Sequence, residues 1–188
     1  MKKNNKKGFT LIELLAVIVI LGILLAIAIP AVSKYINNAR KSTFIANVQS
    51  YAKAAKNEAL SSTYMLPVNN KEATVIPFKA LEKAIENGGK TSPYGAEWNQ
   101  DSSYVMIVNE GTKDEPVPVY YVFAIDAKGY GIGEDSSAKA IAYDSLKDGN
   151  VVQLGASTTL PAASAASSMN VTITTEYDTT GKLKTNGD

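Results

Sequence analysis

One acid, Glu13, stands inside an apolar stretch, and its placement limits the chemistry this chain can offer. Leu11 and Ile12 precede it, and from Leu14 to Ile29 no side chain is charged or strongly polar. Ahead of it come Gly8 and Phe9, behind a basic leader carrying Lys2, Lys3, Lys6 and Lys7 with no acid among them. A carboxylate in such surroundings is costly, so it is expected to work by pairing with a positive group. Catalysis is not expected. The chain has no histidine, which removes the commonest general base, the commonest transition-metal ligand and any Ser-His-Asp arrangement. It has no cysteine either, which excludes disulfides, thiolate metal sites and cysteine nucleophiles. The expectation is a non-enzyme with no cofactor and no metal.

The element that carries these residues is an apolar helix. Phe9 to Ile29 supplies about the ~20 residues needed to cross a bilayer core, and the leading lysines set its orientation with the basic end in the cytoplasm. The expected location is therefore the cell membrane, as a single-pass precursor in contact with the lipid bilayer and with its carboxy-terminal portion outside. A missing disulfide is compatible with export, provided core packing alone holds the exported part together. The formal net charge is +1, so no specific nucleic acid is expected as a partner.

Beyond Pro30 the helical pattern resumes. Val32, Ile36, Ala39, Ile45, Val48, Ala52, Ala55 and Ala59 recur at three- and four-residue steps, with Lys34, Arg40, Lys41, Lys53 and Lys56 on other faces. One helix from Phe9 to Leu60 would span roughly 78 Å, more than a compact domain of this size needs for its own core. The amphipathic half is thus expected to dock a head.

From Ser61 onward Pro67, Pro77, Gly88-Gly89, Pro93 and Gly95 suggest mostly loop, with a short helix around Phe78–Glu86. Strands are expected at Ser103–Asn109, Pro118–Asp126, Gly129–Gly133, Ile141–Tyr143, Val151–Leu154 and Asn170–Tyr177, with a hairpin turn at Lys128-Gly129. Gly155–Ser168, rich in Ala, Ser and Thr, reads as an exposed loop. The fold class is α+β: a long amino-terminal helix, apolar in one half and amphipathic in the other, packed against an antiparallel sheet. Four segments follow: leader 1–8, membrane and assembly helix 9–30, amphipathic helix 31–60, and head 61–188.

Gly8-Phe9-Thr10-Leu11-Ile12-Glu13 before an apolar run resembles the amino-terminal signal of type IV pilins and the related pseudopilins of type II secretion and competence. The resemblance covers residues 1 to 60 and includes Gly22 and Pro30, the expected kink positions. It implies the pilin fold, cleavage between Gly8 and Phe9 by a membrane-embedded prepilin peptidase, and N-methylation of Phe9 by the same enzyme. It also implies pairing of Glu13 with the new amine of a neighbouring subunit, and assembly of the chain with itself, through a membrane platform and an extension ATPase, into an extracellular pilus or pseudopilus. The tasks implied are adhesion, motility, secretion or DNA uptake. The short leader and missing cysteine resemble pilins of Gram-positive bacteria.

Competing readings rest on other residues. Ala26-Ile27-Ala28 fits an ordinary signal-peptidase site, and an uncut anchor carrying an exported ligand-binding protein is a further alternative. Asp101, Asp114, Glu115, Glu134 and Asp135 are candidate calcium ligands, but they lack the regular spacing of a calcium loop, so solvated turn acids are expected. The Tyr-rich Val119–Phe123 is expected to be half-buried core rather than a ligand surface, and Trp98 reads either way. Asn170-Val171-Thr172 has the form of a glycosylation acceptor inside a strand.

Overall fold

The computed structural model describes residues 8–61, 66–69, 71–85 and 89–177. The leader lysines, Glu86 at the end of the expected short helix, and Gly88 lie outside these. The chain divides into two compact units, Met1–Ala39 and Arg40–Asp188.

The expected long helix is present as α1, Leu11–Ser61, with Pro30 inside it. Its residues up to Ala39 belong to the first unit, and there every side chain is exposed. By length and composition α1 is able to cross a membrane, and a helix does so because its backbone polar groups are satisfied within the segment.

In the second unit, α1 buries Phe44, Ile45, Val48, Tyr51, Ala52, Ala55 and Ala59 at helical spacing. The covered stripe begins at Phe44, not at Val32 as the periodicity suggests; Val32 and Ile36 remain exposed. Residue type at helical spacing marks a face, but it does not say where along that face a partner lies. Packed aromatic rings hold the docked part. Tyr51 stacks on Phe78 at 3.7 Å and 6°, and Trp98 meets Phe44 edge-on at 4.7 Å and Phe78 at 6.1 Å. Trp98 is therefore a core residue.

Among the described residues eight strands form two sheets: β1 Glu72–Pro77, β2 Tyr104–Asn109, β3 Pro118–Phe123, β4 Tyr130–Glu134, β5 Ser137–Ala138, β6 Ile141–Ala142, β7 Val151–Gln153 and β8 Thr172–Glu176. The larger sheet runs β6-β3-β2-β1-β8, the smaller β5-β4-β7. β2 sits at the centre with all six residues buried, pairing antiparallel with β1 (Ala73 opposite Val108) and β3 (Tyr104 opposite Phe123). The described part of the head also holds two short α-helices, α2 Phe78–Leu81 and α3 Ala162–Ser168.

Four local expectations are corrected. The segment read as loop holds β1, an inner strand of the larger sheet. It is buried along nearly its whole length, so its residues show no alternation, and Pro77 closes it. The sheet is antiparallel except at one edge, where β8 runs parallel to β1. The segment read as an Ala/Ser loop contains α3, entered from Pro161 and burying Ala165 and Ala166; alanine is the strongest helix former, and proline suits a helix start. Asn170 lies in the turn before β8, at φ 56°, rather than within the strand.

The Lys128-Gly129 turn is present, and a buried acid pins it. The Asp126 carboxylate accepts hydrogen bonds from the backbone N–H of Lys128 and Tyr130, each at 2.9 Å, and from Ser92 Oγ at 2.5 Å. Gly129 takes φ +83°, and a Cβ there would strike the backbone of Gly155 and Ala156.

The buried tyrosines make this core alkali-sensitive. Burial, then the nearby Glu82 carboxylate, pushes the Tyr51 phenol up to about 12. Burial, with the Tyr121 hydroxyl donating to Glu110 at 2.8 Å, pushes Tyr121 up to about 12, and burial raises Tyr104. Unfolded phenols release their proton near pH ~10, so above that pH the folded state binds more protons. The stability these groups contribute is fully present below pH ~10 and is lost as pH rises through about 12. The denaturant midpoint should stay level up to pH ~10 and then fall, with a shallower fall in Tyr51→Phe. Phe44→Ala should cost ~3–5 kcal/mol in the same unfolding measurement, because the site is closed on all sides.

Candidate functional site

Gly8, Phe9 and Thr10 lie ahead of the first helical residue, and all three are exposed. The helix starts at Leu11 because Thr10 caps it. The Thr10 carbonyl accepts the first helical bond, from Leu14 N at 3.2 Å, and Thr10 Oγ accepts from Glu13 N at 3.3 Å. In return Glu13 Oε2 accepts from Thr10 N at 2.8 Å and from Thr10 Oγ at 2.7 Å. This reciprocal arrangement is a capping box. It uses the hydroxyl as both donor and acceptor, and it places the carboxylate at the positive end of the helix dipole.

Glu13 therefore has a partner within its own chain. Both bonds fall on Oε2, and Oε1 accepts none among the described residues. A carboxylate can accept about four hydrogen bonds, so the box leaves room for a further cation. Thr10 is the residue that sequence reasoning missed. Its signal was in view, since Thr-x-x-Glu before an apolar run is the sequence form of a capping box.

The two glycines of the segment have no internal justification. A Cβ at Gly8 or Gly22 would meet nothing within 4 Å, and neither residue is among the glycines with positive φ. A need for glycine at position 8 would have to come from outside the chain. Pro30 lies within α1, which continues on both sides of it.

The remaining candidates fall elsewhere. Asp101 lies 3.8 Å from Lys79, and Glu134 pairs with Lys139, which lowers the Glu134 carboxyl below its usual range, chiefly through that hydrogen bond. Among the described residues, no group of three or more acids, histidines or cysteines is placed to hold a metal ion. In Val119–Phe123, Val122 and Phe123 are buried and Tyr120 and Tyr121 half-buried.

Comparison with known proteins adds to this geometry. The family model for the prokaryotic N-terminal methylation motif matches residues 3–29. The chain is 32% identical over 132 residues to a type IV major alpha-pilin of Moraxella bovis, an alignment covering 59% of this chain and 82% of that protein. It is 27% identical over 127 residues to a fimbrial protein of Pseudomonas aeruginosa, covering 68% and 82%. With a fimbrial protein of Moraxella nonliquefaciens it shares 62% over 39 residues, covering 21% and 25%. No solved structure matches the chain.

The cap can be tested separately from the rest. Thr10→Val keeps the shape of the side chain but removes the hydroxyl, and should cost the first turn of α1 about 1 kcal/mol. In detergent micelles, amide exchange at Leu11–Leu14 should quicken in Thr10→Val and return to the parent rate in Thr10→Ser.

Proposed function

Because this chain belongs to the type IV pilin family, we propose that it is cut between Gly8 and Phe9 by a prepilin peptidase and methylated at the new Phe9 amine. The fibre it then joins is built through α1. The observation that carries this reading is the start of the helix. The Gly8–Phe9 bond stands outside α1, next to a capping box that fixes where the helix begins. A protease needs extended backbone at the bond it cuts, and glycine before the cut lets that backbone enter a narrow site.

The precursor spans the membrane once, with Lys2, Lys3, Lys6 and Lys7 in the cytoplasm and the head outside. Cleavage leaves a cationic amine at Phe9. In the fibre this amine pairs with Glu13 of a neighbouring copy, and the unengaged Oε1 is the natural acceptor. Joining the two charges removes the cost of holding either alone in an apolar surrounding. Gly22 and Pro30 allow α1 to bend or to approach another helix closely. Extraction from the bilayer requires a platform protein and an extension ATPase.

The chain's own role is structural, not enzymatic. Its relatives are named pilins and fimbrial proteins, which supports a surface pilus over a secretion or competence pseudopilus. Segments 1–8, 9–30, 31–60 and 61–188 then serve as leader, assembly helix, docked helix and head.

Two variants separate processing from assembly. Gly8→Leu should accumulate as uncut precursor in the membrane fraction, and normal processing of that variant would contradict the cut site. Glu13→Ala should be cut normally yet be lost from sheared fibres, with a drop of at least about tenfold by immunoblot, since the Phe9 amine would be left without its partner.

A further inference from the structure

Among the described residues, three ion pairs join charged side chains of the head. Lys79 pairs with Asp101, Lys90 with Glu82 at 2.8 Å, and Lys139 with Glu134. Lys53 and Lys56 of α1 have no ion-pair or hydrogen-bond partner among the described residues. They are three residues apart, so they share a helix face and repel each other.

Both lysines border a cavity of about 260 Å³ whose other walls include Ala52, Tyr120, Tyr143 and Asp144. The Tyr120 and Tyr143 rings are half-buried, and burial raises the Tyr120 phenol, which keeps it a neutral donor. Neither hydroxyl, nor the Asp144 carboxylate, has a hydrogen-bond partner among the described residues. The cavity thus gathers two cations, one anion, two phenols and a small apolar floor, with all the polar groups uncommitted.

The charges select the ligand. Two ammonium groups and one carboxylate leave a single net positive charge, which suits a monoanion better than a phosphate monoester. The volume falls below the ~300–1,000 Å³ of sites for larger ligands, so it admits one ring-sized unit. Aromatic rings offer faces to C–H groups, while Asp144 and the phenols suit hydroxyls. We propose that this cavity binds a carboxylated sugar, with Lys53 and Lys56 holding its carboxylate, Asp144 accepting from its hydroxyls, and the tyrosine rings lying against its C–H face. The inference rests on the docked part of α1 and the head, and is independent of how the amino-terminal end of α1 is processed.

The test uses the full-length chain in detergent, titrated calorimetrically with galacturonate and, in parallel, with neutral galactose and with galactose 6-phosphate. Saturable binding of the acidic sugar is expected, weakening as salt is added, with the neutral sugar at least about tenfold weaker. The Lys53→Gln, Lys56→Gln double variant should lose at least about tenfold in affinity while keeping the parent unfolding midpoint. The Lys53→Arg, Lys56→Arg pair should retain binding. Absence of saturable binding, equal binding of the neutral sugar, or an unaffected Gln double variant would overturn the proposal. Tighter binding of galactose 6-phosphate than of galacturonate would overturn the monoanion assignment.

Discussion

From Leu11 to Ile29, Glu13 is the only charged side chain, and the large aliphatic residues there are about half exposed or more. Water cannot hold such a surface. Contiguous exposed apolar patches beyond a few hundred Å² mark a surface that something else covers, and here the patch surrounds the helix. A bilayer covers it well, because an α-helix brings no unsatisfied backbone into lipid. The corresponding helices of other copies cover it too, by side-chain packing. The proposed cycle moves α1 from the first environment to the second.

Within that constraint Glu13 is the one expensive residue, and its position reduces the expense twice. It lies in the first turn, where the helix dipole favours an anion, and Thr10 supplies two hydrogen bonds to one of its oxygens. Cap and proposed intersubunit pair therefore call on different lone pairs of one carboxylate. The acid is tolerable in a monomer and still available to a partner.

What was legible in the sequence followed from periodicity and from local motifs. The length and apolar character of α1, and the central strands β2, β3 and β4, could be read because each has a run of consistent residue type. Features that depend on distant residues could not. β1 is buried by β2, β8 and the core around it, so nothing within its six residues distinguishes it from a loop that ends in proline. The parallel pairing of β8 with β1 joins residues about a hundred positions apart. Trp98 was ambiguous until Phe44, Tyr51 and Phe78 were seen around it. Thr10 is a different case, since its Thr-x-x-Glu signature is local and was passed over beside the cleavage motif that contains it. Lys53 and Lys56 show as hydrophilic positions in the pattern, while the cavity they border appears only when β3 is folded against α1.

The most direct measurement is the amino-terminal sequence and intact mass of the unmodified chain taken from sheared cell-surface fibres. The account predicts a chain beginning at an N-methylated Phe9. A mature chain beginning at Ile29, as an ordinary signal peptidase would leave, or one still carrying Met1 and the leader, would contradict it.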